Sequence, residues 1–329
     1  MARGVRAEAA LRRVLVFGAR GFFGRNAIQL LRAAGVAAVP VSRADADIDD
    51  RPALRALIRS NDVILDTVGP FQARSDALVD VALERAADLV DLSDSAGYAR
   101  TIERRRDEIA SRGIAVLTGC SAISAVVATL VRASAVGEPV RVDAWLAPAS
   151  RETANVATAR SFLASVRSSA TEACDFAPVR GMRVESGLSV QLPAIWTGLA
   201  EPSFWVDPHT RGARPLLALA SRSAVVRRTL AALVPIGVRI ARLAGTREGI
   251  FAVRVEGSAG VARWVLRAPQ RSYLLALGPA TIAVRGLAAE EEGPRGLVPA
   301  DRHVPKDALF AFLDSCLLYT SDAADDLTR

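Results

Sequence analysis

The sequence predicts an α/β protein in which a doubly wound parallel sheet is followed by a second, α+β unit. Three observations predict this architecture. Strand-like apolar runs alternate with helical patterns up to about residue 117, and a glycine-rich loop joins the first strand to the first helix. Strand-like alternation mixed with apolar helical runs then fills residues 125–270. The 329 residues are 51% hydrophobic and 23% charged, which suits about two domains with packed cores.

The glycine-rich loop lies between the strand Val14–Phe17 and an amphipathic helical pattern that stops near Gly35. In such a setting Gly18 permits the tight turn, Gly21 permits close approach to a pyrophosphate, and Gly24 permits close packing of helix and strand. The helix N-terminus adds unpaired N–H groups and a partial positive charge. The candidate phosphate-binding residues are Gly18, Ala19, Arg20, Gly21, Phe22, Phe23 and Gly24.

The residues after the second predicted strand, 36–41, bear on the choice of cofactor. An acidic residue at this place binds the ribose 2′-hydroxyl of NAD, whereas an arginine with a hydroxyl group suits the 2′-phosphate of NADP. The chain has Ser42 and Arg43 there, which favours NADP(H). NAD(H) stays an alternative, because Asp45 and Asp47 lie nearby and Arg43 is one of many arginines.

Further strand–helix alternation completes the first unit. Asp49 or Asp50 is expected to cap a helix that has Pro52 in its first turn. The other expected elements are strand 63–68, a helix near 76–85, strand 89–92, helix 100–111 and strand 114–117. Ligands bind beyond the carboxyl ends of parallel strands, so the site is expected at residues 18–24, 42–43, 69–70, 93–95 and 118–121.

The pattern in the second half of the sequence predicts a domain for substrate binding or dimerisation. Strand-like alternation over 140–145 and 251–255 stands among apolar helical runs. We divide the chain into a nucleotide-binding domain at 12–124, an α+β domain at 125–270, a helical return segment at 271–315, and a tail at 316–329. Four tryptophans are expected in the core rather than in an apolar pocket, namely Trp145, Trp196, Trp205 and Trp264.

Two apolar stretches raise the question of a membrane. Residues 113–131 carry no charge over 19 residues, but we interpret them as a strand, a loop and a buried helix that begins near Ala122, rather than a transmembrane helix. Residues 216–245 are apolar and basic. We expect a helix pair there that breaks at Pro235–Gly237, with peripheral contact to a membrane surface as the alternative.

Charge and composition exclude several classes of protein. The net charge is +7, but the basic residues are scattered and aromatic residues make up only 5%, so no nucleic acid is expected as a partner. Three cysteines and two histidines are too dispersed for a metal site. Lys306 is the only lysine, and neither Tyr98 nor Tyr273 begins a Tyr-x-x-x-Lys pair. The N-terminus lacks a signal-like apolar segment, so a cytoplasmic location is expected.

The motifs in their order resemble the saccharopine dehydrogenase-like oxidoreductases. The segments are VLVFGARGFFG, VSR, NDVILDTVGPFQ, LVDLSD and GIAVLTGC, of which VGPF is the most specific. Residues 257–268 resemble the family's Gly…Trp-x-Leu-x-Ala strand, and residues 278–280 resemble the start of its returning helix. The similarity spans about residues 12–314. Residues 118–124 depart from it, because many relatives have a glycine and a proline there.

The resemblance implies a Rossmann domain that binds NADP(H). Gly18, Gly21 and Gly24 would then meet the pyrophosphate, and Arg43 the 2′-phosphate. Asp47 falls in the family's segment that contacts the adenine. Three residues are implied to lie beside the nicotinamide: Val68, Gly69 and Pro70. The final residues, 316–329, instead resemble a translated sequencing adapter, with a polar C-terminal extension as the alternative.

Two hypotheses of function follow. The first is an NADP(H)-dependent oxidoreductase that moves a hydride to or from a carbonyl, an imine or an activated alkene of a small, apolar substrate. Its candidate proton donors are Asp94 and Tyr98, each with a structural alternative: a helix cap for Asp94 and packing for Tyr98. The second is a non-catalytic NADP(H)-binding sensor or scaffold protein. A homodimer is an open alternative to a monomer.

Overall fold

The computed structural model describes residues 11–208, 213–289, 293–316 and 319–322. Its first part alternates strands and helices in the predicted manner. The elements are β1 Val14–Phe17, α1 Phe22–Ala33, β2 Ala38–Val41, α2 Arg51–Leu57, β3 Val63–Asp66, α3 Ala77–Arg85, β4 Asp88–Asp91, α4 Ala96–Glu103, α5 Arg106–Arg112 and β5 Ala115–Leu117. A 3-10 turn, Phe71–Ala73, lies between β3 and α3.

The second part begins with a π-helical turn at Ala122–Val126, which continues into α6 Val127–Ala133. The next elements are β6 Pro139–Ala147, α7 Ser150–Thr153, α8 Val156–Ser165, β7 Val166–Ala173, β8 Arg180–Val184, α9 Leu188–Gln191, β9 Ser203–Val206, α10 Ala213–Arg222, α11 Ala224–Ala244, β10 Gly249–Gly257 and β11 Gly260–Ala268. The chain then returns through α12 Leu274–Ala288, β12 Gly296–Leu297, a 3-10 turn at Ala300–Arg302, α13 Lys306–Ser315 and β13 Tyr319–Asp322.

The first sheet is parallel and doubly wound. Its order is β12-β5-β4-β3-β1-β2, and every neighbouring pair is parallel. The chain runs from β1 to β2 on one side and then crosses to β3 on the other, which creates a topological switch point between β1 and β3. Ligands of such sheets bind in the crevice at this point, beyond the carboxyl ends of the strands. The predicted α/β class is confirmed, and the site is framed by the loops after β1 and β3.

Local sequence explains where the helices of this unit begin and end. Asp50 accepts a hydrogen bond from the backbone N–H of Ala53 and so caps α2, as expected. Ser95 caps α4 through the N–H of Tyr98. The expected single helix 100–111 is wrong, because this cap starts a helix earlier and a second helix follows after a break at Arg104 and Arg105.

The second sheet has seven strands in the order β13-β11-β10-β6-β9-β8-β7. All of its neighbouring pairs are antiparallel except β6 and β9. The strands expected at 140–145 and 251–255 both form and pair with each other. Trp145 and Trp205 are buried, so the expectation of core tryptophans holds for these two. Trp264 and Trp196 are half-buried against the core.

The two apolar stretches adopt different structures. Residues 113–131 form β5, a loop, the π-helical turn and the start of α6, so the transmembrane alternative for this stretch is wrong. Residues 216–245 form two helices that break at Ser223, whose hydroxyl caps α11 through the N–H of Val226. The expected break at Pro235 is wrong, because this proline lies within α11. Among the described residues, no helix is long and apolar enough to cross a bilayer.

The C-terminal segment returns to the first sheet. β12 pairs with β5 and supplies the sixth strand. Residues 278–280 do not begin the returning helix, because α12 starts at Leu274 and Pro279 lies inside it. Asp88 is buried between Arg12, at 2.7 Å, and Arg295, at 2.9 Å, which ties the residues before β1 and before β12 to β4. Of the tail at 316–329, only Cys316 and the edge strand β13 are described.

Candidate functional site

The glycine loop packs so closely that side chains would not fit. Gly18 has φ +80°, and a Cβ there would lie 2.7 Å from the hydroxyl oxygen of Thr67. A Cβ on Gly24 would lie 2.2 Å from the carbonyl oxygen of Gly18, which is a backbone atom that cannot turn aside. Thr67 donates its hydroxyl to the carbonyl of Phe17 at 2.7 Å and so joins the loop after β3 to the end of β1. These contacts explain the roles assigned to Gly18 and Gly24.

The N-terminus of α1 is open to an anion. Gly21 stands at its N-cap position without a side-chain capping bond, and the first turn carries no acidic residue. The first N–H groups of a helix lack partners inside the helix and carry partial positive charge. Arg20 and Gly21 are exposed, whereas Phe22 and Phe23 are half-buried; Phe22 packs edge-on against Tyr273 at 5.4 Å. The first turn of α1 therefore offers N–H groups and partial positive charge that no side chain of its own neutralises.

The residues after β2 form a small polar turn. Ser42 donates its hydroxyl to Asp45 at 2.6 Å and its backbone N–H to the same carboxylate at 2.8 Å, which lowers the pKa of Asp45. Arg43 has a side chain that is 84% exposed and approaches Asp47 at 3.4 Å. The Ser42 hydroxyl is thus already engaged, while the Arg43 guanidinium is held only by an exposed ion pair.

The loop after β3 is held by a buried arginine that the sequence analysis missed. Arg74 donates to the carbonyl of Val68 at 2.7 Å and forms a buried ion pair with Asp66 at 2.8 Å. Asp66 in turn accepts the N–H of Val68 at 2.9 Å. The Gly69-Pro70 peptide bond is cis. Arg74 therefore fixes the position of Val68, Gly69 and Pro70 at the carboxyl edge of the sheet.

Asp94 lies at the centre of a polar network between the two sheets. Its carboxylate accepts the amide of Gln72 at 3.1 Å and a short hydrogen bond from the hydroxyl of Ser161 in α8. Gln72 also donates to Ser165 at 3.0 Å. Burial raises the pKa of Asp94, while the hydrogen bonds donated by Ser161 and Gln72 act in the opposite direction. Asp94 is half-buried and does not cap α4, a role that Ser95 fills.

Tyr98 lies deeper than Asp94. Its ring packs on Phe71 at 5.4 Å between centroids, and its buried hydroxyl has no hydrogen-bond partner among the described residues. Burial, with the charges of Asp91 and Asp66, raises the pKa of Tyr98 well above 10. Burial also raises the pKa of Asp91 to about 6. The position of Tyr98 therefore fits a packing role better than the role of proton donor.

Neither of two surface cavities, of about 360 and 510 Å³, is lined by the glycine loop or by Asp94. The candidate site is instead the open edge between the loops after β1 and β3 and helix α8. The sequence alone does not predict the other members of the Asp94 network, which are Gln72, Ser161 and Ser165. Of these three, only Gln72 has a neighbouring motif, the VGPF segment, that could have pointed to the site. No group of His, Cys, Asp and Glu in the described part of the chain could hold a metal ion.

In comparisons with known proteins, the chain is similar only to solved structures. No family model and no curated protein sequence matches the chain. GenD2 from gentamicin A biosynthesis, in complex with NAD, is 12% identical, with a TM-score of 0.44 over 98% of this chain and 99% of that one. An oxidoreductase from Agrobacterium radiobacter, in complex with NAD+, L-tartaric acid and magnesium, is 13% identical, with a TM-score of 0.44 over 96% and 99% of the two chains.

A third structure is UDP-N-acetylglucosamine 3-dehydrogenase GnnA from Acidithiobacillus ferrooxidans. It is 12% identical, with a TM-score of 0.41 over 93% of this chain and 95% of that one. At such low identities and scores, none of these structures transfers a substrate or a residue role to this chain. The α/β class rests on the sheet order and strand directions described above.

Proposed function

We propose that this chain is an NADP(H)-dependent oxidoreductase whose dinucleotide lies across the switch point between β1 and β3. The observation that carries the proposal is the uncapped N-terminus of α1, which follows a loop whose Gly18 and Gly24 leave no room for a side chain. A pyrophosphate would accept hydrogen bonds from the N–H groups of the first turn of α1, since those of Ala19 and Gly21 already donate to the carbonyls of Val41 and Gly18. The motif series from 14 to 120 supports the saccharopine dehydrogenase-like type.

The adenosine end supports NADP(H) over NAD(H). The Arg43 guanidinium is exposed and free to turn toward a 2′-phosphate, because its only described partner is the exposed carboxylate of Asp47. Ser42 would contribute only after exchanging its bond to Asp45, so Arg43 carries the preference. Asp47 then remains beside the adenine as a weaker contact.

The nicotinamide end supports hydride chemistry beside Val68, Gly69 and Pro70. A bound nicotinamide supplies the hydride. Arg74 holds the loop in place, and Asp94 lies three residues beyond the end of β4, the neighbour of β3. Because Gln72 and Ser161 orient the Asp94 carboxyl and burial raises its pKa, Asp94 is the residue that we propose as proton donor to a carbonyl, an imine or an activated alkene.

A spectroscopic experiment tests the proposal against the sensor alternative. NADPH bound to the full chain is mixed with a panel of enoyl, keto and imine substrates that carry apolar chains, and its absorbance is followed by stopped flow. We expect oxidation at catalytic rates with at least one class. Tight binding of NADPH with no turnover across the panel would instead support a non-catalytic sensor or scaffold.

Binding itself needs a separate control. Gly21→Asp should abolish NADPH binding in calorimetry while the protein stays folded, because a carboxylate would oppose the pyrophosphate at the N-terminus of α1. Gly198→Asp is the matched variant, since Gly198 has open space around it and a φ outside the left-handed region. Equal affinities for all three proteins would show that the loop is only a turn.

A further inference from the structure

The exposed apolar side chains of this protein are concentrated on one pair of helices. Among the described residues, eleven large hydrophobic side chains are exposed, and seven of them belong to α10 and α11. Their exposed fractions run from 47% to 78%. We call these seven residues the outer face: Leu216, Leu219, Val225, Leu233, Ile236, Ile240 and Leu243. Such clustering is unusual, because soluble proteins normally scatter exposed apolar residues singly.

The outer face of α11 is a single stripe. Leu233, Ile236, Ile240 and Leu243 follow one another at intervals of three or four residues, which places them on one side of a helix. Val238 lies on the other side and is buried, and α11 packs there against α7, α8 and α10. When a helix packs through one side and its opposite, exposed side is also apolar, that exposed side offers a surface on which a partner can bind. At 21 residues, α11 extends about 30 Å along this surface.

The charges beside this stripe have one sign. Residues 213–247 contain seven arginines and no aspartate or glutamate. Some of these arginines are tied down, as Arg214 is by Asp207 and Arg242 by the carbonyl of Ala154. Arg228 and Arg239 are exposed, and within the described residues neither has an ion-pair partner. The helix pair therefore offers apolar side chains and unpaired positive charge together.

We propose that α10 and α11 dock this protein on the surface of an anionic lipid bilayer. Apolar side chains enter the boundary between headgroups and acyl chains, and flanking arginines contact the lipid phosphates. The charges argue against a second copy as the occupant, because a two-fold contact would set arginines against arginines without any acidic residue to pair them. Because one side of α11 packs against α7, α8 and α10, the helix would lie in the plane of the bilayer with its other side toward the lipid. The proposal does not depend on the dinucleotide.

Co-sedimentation with vesicles tests the proposal with the full chain. Vesicles of phosphatidylglycerol and phosphatidylcholine are compared with vesicles of phosphatidylcholine alone. We expect binding to the anionic vesicles, weaker binding to the neutral ones, and partial release at high salt, which shortens the reach of the charges. Failure to bind anionic vesicles at millimolar lipid would overturn the proposal.

Two double variants separate the apolar and electrostatic contributions. Ile236→Ser with Leu243→Ser should weaken binding about 100-fold, at roughly tenfold for each side chain that enters the bilayer boundary. Arg228→Gln with Arg239→Gln should weaken it about 25-fold, at roughly fivefold, or about 1 kcal/mol, for each charge. Circular dichroism checks that both variants remain folded.

Matched variants elsewhere on the surface serve as controls. Val140→Ser with Val261→Ser removes two other exposed apolar side chains, which belong to the second sheet. Arg32→Gln with Arg59→Gln removes the same charge from exposed positions of the first unit. Both controls should bind within about twofold of the unchanged protein, given that surface contributions are small.

The other occupants would give different outcomes. Binding that depends on the arginines but ignores Ile236 and Leu243 would identify a polyanion rather than a bilayer, and would overturn the proposal. Sedimentation that shows a dimer broken by the apolar variant would assign the face to a second copy and would overturn it as well. Equal losses in the matched controls would show that the effect is not specific to these helices.

Discussion

Replacing Arg43 by alanine is the most direct test of cofactor choice. The Arg43 side chain is exposed and meets only Asp47, at 3.4 Å, so its removal should leave the fold and its stability unchanged. The variant removes a guanidinium that could bind a 2′-phosphate through two hydrogen bonds. NADH has no such phosphate, so its affinity should stay the same.

The size of the effect follows from two opposing contributions. A hydrogen bond to a charged group stabilises a complex by about 1.5–3 kcal/mol. Turning Arg43 toward the phosphate gives up the exposed ion pair with Asp47, which contributes at most about 1 kcal/mol. The net preference is about 0.5–3 kcal/mol, so Arg43→Ala should weaken NADPH binding roughly 2- to 160-fold.

Titration calorimetry of NADPH and NADH measures this with the unchanged protein and with the Arg43→Ala, Arg59→Ala and Asp47→Asn variants. Arg59→Ala is the control, because it removes another exposed arginine, one that follows α2. Asp47→Asn should raise NADPH affinity by a few fold, because Arg43 no longer has to give up an ion pair in order to reach the phosphate. Equal weakening of NADPH and NADH by Arg43→Ala would refute the reasoning and would leave NAD(H) as the cofactor to consider.

The remaining predictions concern the loop, the network and two buried titrating groups. Gly24→Ala should lower thermal stability and abolish NADPH binding, because its methyl group would meet the Gly18 carbonyl at 2.2 Å. Asp94→Asn should lower kcat about 100-fold or more and remove the ionisation of this group from the pH profile, with little change in the dissociation constant of NADPH. Asp91 has its pKa raised to about 6, so it lowers stability as pH rises from 4 to 6, whereas His303, with its pKa lowered to about 4, lowers stability as pH falls from 6.5 to 4. As pH falls, Asp91→Asn should therefore lose more unfolding free energy than the unchanged protein, and His303→Gln should lose less. Each difference from the unchanged protein should reach up to about 3 kcal/mol.

Each of these predictions has its own control. Gly237→Ala, at a glycine with open space, should leave NADPH binding intact. Asp307→Asn removes an exposed carboxyl and should keep the kcat of the unchanged protein. Identical pH profiles of stability for Asp91→Asn, His303→Gln and the unchanged protein would contradict the assigned shifts. An active Asp94→Asn would move the proton donor to a water molecule.

Five of the six strands of the first sheet were predictable because their information is local: β1 to β5 are short, largely apolar runs followed by residues that favour turns, as Gly18 and Gly69 show. The position of the glycine loop followed from the same pattern. The sixth strand, β12, has only two residues in a segment that we expected to be helical, and its pairing with β5 has no local signal. The helix 100–111 was misjudged because the hydroxyl of Ser95 starts a helix earlier than the apolar pattern does.

The polar network around Asp94 was not predictable from the sequence. Gln72 and Ser161 reach Asp94 from 22 and 67 residues away, and no spacing rule links a serine of α8 to a strand end of the first sheet. The continuity of α11 was hidden for another reason. A proline usually ends a helix, but Pro235 is exposed, so the carbonyl that loses its partner can turn to water.

The return of the chain to its first sheet bears on how the protein folds during synthesis. The ribosome releases β1 to β5 long before β12, which covers the edge of β5, and before Arg295, which pairs with Asp88. Until then, β5 has an unpaired edge. Of the two arginines that form ion pairs with Asp88, only Arg12 is then present. An open strand edge invites pairing with other chains. The nascent nucleotide-binding half should therefore need a chaperone or rapid elongation, and a chain that terminates within the second sheet should aggregate rather than accumulate as a folded fragment.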